Sequence, residues 1–210
     1  MKGEDTEGEK IIVNSIVKRI TDISLSFDMT KEQMKYKLSI IIPVYNDEKL
    51  LKKAIESILS QLKNDIEFIV IDDCSTDDSF KLAQSYDRVR AIRNEKNSGP
   101  AKTRNRAIRE ANGEILAFMD SDCWASDDWV DNILKAFRDS DLMVLMGGVS
   151  IPKSTFLGDS ISALGFPGGG NLGFENVWKV DKDGYTKHIT SCNFAARKEV
   201  FEKYGDSMLE

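Results

Sequence analysis

The sequence predicts an α/β fold built on a parallel sheet, and two observations support this prediction. Short apolar runs rich in β-branched residues, "LSIIIPV", "IEFIVI", "RVRAI" and "EILAFM", recur from residue 38 onward and are typical of buried strands. Segments with helical periodicity separate these runs. Strands that alternate with helices in this way predict βαβ units, and therefore parallel strands with helices packed against them.

The helices follow in order between the strands. The first is expected to begin with Asn46 as its N-cap and with Asp47 and Glu48 in its first turn, where acidic side chains are favourable. Its core-facing stripe comprises Leu51, Ala54, Ile55, Ile58 and Leu62.

Three further helices are expected before the fifth strand run, "LMVLMGGVSI". One spans about residues 77 to 86, one begins just after Gly99 and Pro100, and one is capped by Ser126 with Asp127 and Asp128 in its first turn. A glycine-rich segment then precedes a final extended piece and a short helix between residues 188 and 204.

Composition narrows the classes of protein. With 210 residues, 41% hydrophobic and 30% charged, the chain fits one globular domain. A net charge of -6 makes nucleic acid an unsuitable main partner. No run approaches a membrane span, the charged start does not resemble a signal peptide, and the cysteines show no zinc-site spacing. These features predict a cytoplasmic protein with reduced thiols that serve in packing, and contact at the inner face of the membrane remains an option.

Residues 1–36 form a leader separate from the rest. Ile12, Ile16, Ile20, Ile23 and Phe27 recur at the spacing of an amphipathic helix. Basic residues are few on this helix, so we expect it to pack against its own domain, with a weak membrane or protein contact as the alternative.

Acidic side chains follow several of the predicted strands. Asp72 and Asp73 end the second strand, and Asp120 and Asp122 follow the fourth. Because parallel strands end at one edge of a sheet, these carboxylates should converge there and repel one another. A divalent cation or a basic neighbour would compensate them.

A basic segment, "RNEKNSGPAKTRNRAIR", precedes the fourth strand. Lys102 falls on an exposed side of its helix, whereas Arg104 shares the packing stripe and so needs a partner. The free N–H groups near Asn97 and Gly99, at the start of this helix, could receive an anion.

The Asp120–Ser121–Asp122 turn fits a hard cation better than the alternatives. An EF-hand is excluded because Trp124 and Ala125 stand where an oxygen ligand and a glycine are needed. Two carboxylates complete part of the coordination of Mg²⁺ or Mn²⁺, and substrate phosphates and water would supply the remainder.

Four motifs, "IIPVYNDEKLLKKAIESI", "FIVIDDCSTDDS", "NSGPAKTRNRAI" and "EILAFMDSDCW", resemble in order and spacing the family 2 glycosyltransferases of the GT-A fold. With the fainter "SCNFAARKEVFEKYG", the resemblance extends over residues 38–205. It implies a Rossmann-like αβα sandwich around a mainly parallel sheet in residues 37–210. In that domain the nucleotide-sugar half is expected to be complete and the acceptor half incomplete.

The resemblance also implies roles for individual residues. Pro43, Tyr45 and Glu48 would lie near the nucleoside, and one of Asp72 and Asp73, with Asp73 favoured, would bind the base. Asp120 and Ser121 would bind the donor, and Asp122, together with Asp120, would hold Mg²⁺ or Mn²⁺. The residues implied to flank the base and diphosphate are Asn97, Gly99, Lys102 and Arg104.

The implied reaction transfers a sugar from a nucleotide-sugar donor, most simply UDP-linked, to a hydroxyl of a saccharide or lipid-linked acceptor, with inversion. The family's usual base, in an "ED" pair, is expected beyond Glu210, and neither Asp206 nor Glu210 takes that role. We therefore expect a truncated chain that binds donor with little or no transfer. The alternatives are a haloacid dehalogenase-like phosphatase and a non-catalytic nucleotide-sugar binding module.

Overall fold

The computed structural model describes residues 35–149 and 191–204. The predicted leader helix, the glycine-rich segment, His188, Asp206 and Glu210 lie outside the described residues. The strands are β1 (Tyr36–Val44), β2 (Ile66–Asp72), β3 (Arg90–Arg93), β4 (Gly113–Met119), β5 (Val144–Met146) and β6 (Asn193–Arg197). The helices are α1 (Glu48–Leu59), α2 (Ser79–Gln84), α3 (Pro100–Glu110), α4 (Trp129–Ala136) and α5 (Lys198–Tyr204).

The strands form one sheet in the order β3-β2-β1-β4-β6-β5. The first four strands along the chain run parallel, as the alternation predicts, whereas β6 is antiparallel to both β4 and β5. Strand order reverses between β1 and β4, because β2 and β3 lie on one side of β1 and β4 lies on the other. Such a switch point opens a crevice beyond the carboxyl ends of the two central strands.

Helices cover both faces of the sheet, which confirms the predicted αβα sandwich. On one face, Ile40 and Ile42 of β1 pack with Ile55 of α1 and Val130 of α4. On the other face, the apolar cluster joins alternate strand residues to α3 and α5, and its members include Ile41, Ile69, Ala107, Ile108, Phe118, Phe194 and Phe201. Alternation of side chains along each strand therefore fills both layers, as buried parallel strands require.

Three aromatic rings hold α5 against the antiparallel part of the sheet. Phe118 of β4 stacks on Phe194 of β6 with ring centroids 4.7 Å apart, and Phe201 of α5 meets Phe118 edge-on at 5.8 Å. Each such pair contributes about 0.5–1.5 kcal/mol beyond burial of its area. These contacts keep β6 beside β4, next to the crevice.

Two predicted helix caps are wrong. Asp47, and not Asn46, occupies the N-cap position of α1; Asn46 has φ 53° and its side chain accepts hydrogen bonds from the amide and hydroxyl of Thr76. α4 begins at Trp129 with Asp128 at the N-cap, three residues later than a Ser126 cap would place it. The Asn46 side chain bonds to Thr76, outside the start of α1, whereas the Ser126 hydroxyl donates to the carboxylate of Asp128, the residue that occupies the N-cap position of α4.

Candidate functional site

A cleft of about 530 Å³ lies at the switch point, beyond the carboxyl ends of β1 and β4. Four segments form its walls: the β1–α1 turn, the end of β2, the start of α3 and the turn after β4. The lining residues are Pro43, Val44, Tyr45, Asn46, Asp47, Leu50, Asp73, Asn97, Gly99, Pro100, Thr103, Arg104, Asp120, Ser121 and Asp122.

Most of the residues predicted for the site line this cleft, and three do not. Glu48, Asp72 and Lys102 lie outside the lining. Lys102 is exposed on α3, as its solvated helix face predicts, and Asp72 is fully buried.

A second cavity, of about 570 Å³, lies at the opposite edge of the sheet. Its lining includes Tyr36, Glu67 and Arg90. Ser39, Asn112 and Arg90 already satisfy the buried Glu67 carboxylate, which accepts hydrogen bonds from all three. Since ligands of parallel α/β sheets bind beyond the carboxyl ends of the strands, the first cleft is the better candidate, although it is slightly smaller.

Asp72 is fully buried, and its contacts lie within the protein interior. One of its carboxylate oxygens accepts the Ser75 amide at 3.1 Å and lies 3.3 Å from Nε of Arg93. The other oxygen, Oδ1, has no hydrogen-bond partner within the part of the chain that the structure describes. The Arg93 guanidinium therefore compensates this buried charge, which keeps Asp72 compatible with its strand position.

Asp73, the neighbouring residue, organises the wall of the cleft. Its carboxylate accepts the amides of Ser98 and Gly99, at 2.9 and 2.8 Å, and the side-chain amide of Asn94 at 2.7 Å. Burial alone would raise the pKa of Asp73, but these hydrogen bonds outweigh it and lower the pKa below its ordinary value. The ionised carboxylate thus fixes the loop that leads into α3.

Gly99 gives that loop its shape. It occupies the N-cap position of α3 with φ 85°, a left-handed conformation that glycine adopts without strain. Pro100 follows at the first helical position, where its missing N–H costs nothing. The start of α3 is therefore held rigidly at the cleft.

Arg104 provides the basic partner that the charge argument requires. It is 8% exposed, and its Nη2 donates to Oδ1 of Asp120 at 2.5 Å. Its Nε is buried and has no hydrogen-bond partner among the described residues. Asp120 is thus charge-compensated by the protein itself, and Arg104, which lines the cleft, keeps a buried Nε donor without a partner among the described residues.

Ser121 and Asp122 differ in their surroundings. Ser121 donates its hydroxyl hydrogen to Asp47 at 2.7 Å, which ties the turn after β4 to the start of α1. Asp122 is exposed at the cleft, and its Oδ1 accepts a weak hydrogen bond from the Cys123 thiol at 3.6 Å. Asp122 is therefore the carboxylate of this turn that is best placed to take an external cation.

The residues at the turn fit a hard cation that keeps part of its coordination sphere open. Within residues 35–149 and 191–204, no group of three or more His, Cys, Asp or Glu side chains could hold a metal ion by itself. Asp122 offers an oxygen ligand, and Asp120 would share its charge with Arg104. Mg²⁺ typically binds through one or two carboxylates together with substrate phosphates and water, so this donor set is compatible with it.

Sequence reasoning missed several residues that line the cleft, and the structure gives three of them a clear part in its shape. Leu50 is 45% exposed and lines it, Thr103 accepts a hydrogen bond from Asn94, and Asp47 holds Ser121. Leu50 lies outside the apolar stripe of α1, and an apolar residue on the polar side of a helix is an available clue. The partners of Asp47 and Thr103 depend on contacts between distant segments, which spacing along the chain does not indicate.

The fold and the cleft together indicate the class of protein to which the chain belongs. This mixed sheet of mostly parallel strands, with helices on both faces, is the GT-A fold of its structural neighbours among the glycosyltransferases. The family model for glycosyl transferase family 2 matches residues 39–205. The chain belongs to that family, and the fold and family predicted from the four motifs are confirmed.

Curated relatives match part of this chain. It is 32% identical over 114 residues to the glycosyltransferase GlyG of Streptococcus pneumoniae, covering 52% of this chain and 38% of GlyG. It is 36% identical over 133 residues to the poly(ribitol-phosphate) beta-N-acetylglucosaminyltransferase TarS of Staphylococcus aureus, covering 57% of this chain and 23% of TarS. The chain thus spans well under half the length of these relatives.

Solved structures share the fold. Residues 1–349 of TarS in complex with UDP-GlcNAc match with a TM-score of 0.57 at 23% identity, over 80% of this chain and 47% of that one. A mannosyltransferase from Pyrobaculum calidifontis in complex with GDP-Man and Mn²⁺ matches with a TM-score of 0.63 at 21% identity, over 94% and 55% of the two chains. Neither alternative function, phosphatase or non-catalytic binding module, is favoured by these similarities.

None of the described helices is long and apolar enough to cross a membrane.

Proposed function

We propose that the protein takes part in metal-dependent, inverting transfer of a sugar from a UDP-linked donor to a hydroxyl of a saccharide or lipid-linked acceptor. One observation carries this proposal: Asp122, the Arg104–Asp120 pair and the start of α3 line a single cleft at the switch point of a family 2 glycosyltransferase. The phosphates of a nucleoside diphosphate are negatively charged, so they need cationic partners such as a guanidinium, a helix N-terminus or a metal ion held by a carboxylate.

The nucleoside is proposed to occupy the end of the cleft near β1 and β2. Tyr45 is 49% exposed there and offers a ring for stacking on a base. Pro43 and Asp73 lie in the same wall, and Asp73 is the proposed contact to the base. The hydrogen bonds that already hold Asp73 support it as a rigid acceptor.

The diphosphate is proposed to lie between α3 and the turn after β4. Asn97, Gly99 and Arg104 line that part of the cleft, and the buried Nε of Arg104 is a donor without a protein partner among the described residues. A buried, unsatisfied guanidinium nitrogen is costly unless a ligand completes it, which supports a phosphate or ribose oxygen there. Roles for Glu48, Asp72 and Lys102 remain predictions from the resemblance.

Asp122 is the proposed metal ligand, with Asp120 as a second and Ser121 as a positioning residue between them. A Mg²⁺ or Mn²⁺ ion bound there would neutralise the negative charge that develops on the leaving diphosphate. Arg104 would add to this stabilisation because it lies against Asp120. The protein's own contribution is thus to hold the leaving group in a fixed, charge-matched position.

In the proposed reaction, the acceptor hydroxyl oxygen attacks the anomeric carbon from the face opposite the leaving group. The bond between that carbon and the β-phosphate oxygen breaks, UDP leaves with the bonding electron pair, and a base takes the hydroxyl proton. Attack from the opposite face inverts the anomeric configuration.

A thermal-shift screen of nucleotide sugars tests this proposal. The chain would be heated with UDP-GlcNAc, UDP-glucose or GDP-mannose, each with and without Mn²⁺. A ligand that binds only the folded state raises Tm, and saturation at about 100 times Kd adds about 2.7 kcal/mol. We expect a larger shift for the UDP-sugars, and only with Mn²⁺. Shifts in Tm of equal size with and without Mn²⁺ would overturn the metal dependence. A shift with GDP-mannose and none with the UDP-sugars would overturn the assignment of a UDP-linked donor.

A further inference from the structure

Helix α1 runs alongside the segment that follows β4, residues 120–126, which carries the proposed metal ligands. Side chains of α1 and of its two flanks contact successive residues of this segment, in the same order along both. The contacts are Asp47 with Ser121, Lys53 with Trp124, Ser57 with Ala125 and Gln61 with Ser126. Lys53, Ser57 and Gln61 follow one another at intervals of four residues, so one side of the helix makes these three contacts.

Ser57 links α1 to this segment through its hydroxyl group. The hydroxyl donates to the Ala54 carbonyl at 2.7 Å and accepts the Ala125 amide at 3.0 Å. Because the hydroxyl hydrogen is used within the helix, Ser57 offers a lone pair to the segment, and a backbone amide is the matching partner. Ala125 lies three residues after Asp122, so this bond fixes the backbone just beyond the proposed metal ligand.

Gln61 holds the same segment further along. Its side-chain nitrogen donates to the Ser126 carbonyl at 2.8 Å and to the Ser57 carbonyl at 2.9 Å, and its side-chain oxygen accepts the Val130 amide at 3.0 Å. Both amide hydrogens and the oxygen are therefore in use. Val130 belongs to α4 and is 1% exposed in the apolar core, so Gln61 ties the segment to two helices at once.

The position of Asp122 depends on these anchors. Asp122 is exposed, and its carboxylate accepts a weak hydrogen bond from the Cys123 thiol at 3.6 Å. Its place at the cleft is therefore set by the backbone around it, which is held at Ser121 on one side and at Ala125 on the other. A metal ligand has to be held to within about 0.5 Å of its productive position, and neighbouring hydrogen bonds supply that precision.

We propose that Ser57 and Gln61 are positioning residues that hold the segment after β4 so that Asp122 meets the metal and the donor's diphosphate. This inference rests on the proposed function. If the segment samples several positions, only the competent fraction binds, and the apparent affinity falls by that fraction. Ser57 and Gln61 both lie outside the cleft lining, so they act on metal binding through the segment that they hold.

Amide hydrogen exchange, followed by NMR in the full chain, tests the anchors themselves. We expect the Ala125 amide to exchange at least about fivefold faster in Ser57→Ala than in the wild type, because its acceptor is gone. Gln61→Ala should have the same effect at Val130. The matched control is Ser60→Ala, whose hydroxyl donates to the Ser57 carbonyl and so bonds at the end of its own helix. An Ala125 exchange rate that Ser57→Ala leaves unchanged would refute the proposal.

Titration of Mn²⁺ at a fixed concentration of UDP tests the consequence for the metal. We expect Ser57→Ala to need about three- to tenfold more Mn²⁺ for half-saturation, as the loss of one neutral hydrogen bond implies. Ser60→Ala should match the wild type, and Ser57→Thr, which keeps the hydroxyl, should restore the wild-type requirement. An unchanged Mn²⁺ requirement in Ser57→Ala, or a loss that Ser57→Thr does not restore, would refute the positioning role. A wild type that does not bind UDP with Mn²⁺ would refute the proposed function instead, while exchange at Ala125 would still decide whether Ser57 holds the segment.

Discussion

Several aspartate carboxylates lie close together at the cleft, and individual side chains and backbone amides compensate their negative charge. Asp73 is held by hydrogen bonds from Asn94 and two backbone amides, and Asp120 is paired with Arg104. Asp122 is exposed and accepts only a weak bond from a thiol. The protein thus compensates two carboxylates internally and leaves Asp122 exposed, which supports the proposal that Asp122 takes an external cation.

Arg104→Ala tests the basic partner. Removing the guanidinium leaves Asp120 uncompensated and takes away the spare Nε donor, so we expect UDP affinity with Mn²⁺ to fall by about 1.5 to 3 kcal/mol, or roughly ten- to hundredfold. Isothermal titration measures it. The control is Arg109→Ala, which removes the same charge from an exposed position of the same helix, outside the cleft. An equal loss in both variants would mean that Arg104 acts only through the overall charge.

Glu67→Gln tests a carboxylate at the opposite edge of the sheet. Burial raises the pKa of Glu67, but hydrogen bonds from Ser39, Asn112 and Arg90 outweigh it and lower the pKa below its ordinary value of 4.5. A depressed folded-state pKa contributes stability above the unfolded value, and this stability is lost as pH falls through the folded value.

We therefore expect Glu67→Gln to lower the free energy of unfolding by about 1–3 kcal/mol at about pH 7, because Ser39 and Asn112 then face a poorer acceptor. Urea denaturation curves measure the difference between the two proteins. It should shrink at pH values well below about 4, where the wild-type carboxylate is itself protonated. A difference that stays constant down to acid pH would contradict the ionised state of Glu67.

At the scale of elements, the approach of β4 to β1 depends on a glycine. Gly113 begins β4, pairs with Tyr36 of β1 and donates its amide to the Ser39 hydroxyl at 2.9 Å. A Cβ at this position would lie 2.5 Å from the Ser39 amide nitrogen and 2.8 Å from the Leu38 carbonyl carbon. Both neighbours belong to backbone, which cannot move aside without disturbing the strand pairing next to the switch point.

Gly113→Ala is accordingly expected to destabilise the fold by about 2 kcal/mol or more, as overpacking does. Gly148→Ala is the matched control, because a Cβ there meets nothing within 4 Å. Thermal unfolding of the two variants compares them directly. A Tm for Gly113→Ala as high as that of Gly148→Ala would show that β1 and β4 are less tightly paired than described.

Comparison of the predicted strands and helices with those of the structure shows what hydrophobic periodicity can predict. Alternating strands and helices came out in the expected order because burial patterns are local properties of the chain. The cap at Asn46 was wrong because its side chain bonds to Thr76, thirty positions away, which spacing along the chain does not indicate. The cap at Ser126 was wrong by a local shift, since Asp128 takes the N-cap position and accepts the Ser126 hydroxyl. The antiparallel direction of β6 depends on its pairing with β4 and β5, which apolar runs alone do not specify.

At the scale of the whole molecule, the cleft forms where strand order reverses, and distant segments meet there. Sequence spacing placed Asp120 and Asp122 after a buried strand and predicted that the cation Arg104, on the packing face of its helix, needs a partner. It did not identify Asp120 as that partner, nor the contact between Ser121 and Asp47, because both depend on how strands β1 and β4 lie side by side. Membership of glycosyl transferase family 2, together with this geometry, supports the proposed role in sugar transfer.

The central proposal is that Asp122 would hold a divalent cation that neutralises charge on the donor's diphosphate, and calorimetric titration of UDP in the presence and absence of Mn²⁺ tests it most directly. We expect UDP binding that depends on Mn²⁺ in the wild type, that is lost in Asp122→Ala, and that is retained in Asp127→Ala, an exposed aspartate outside the cleft lining. UDP binding of equal strength without metal, or unchanged in Asp122→Ala, would contradict the claim.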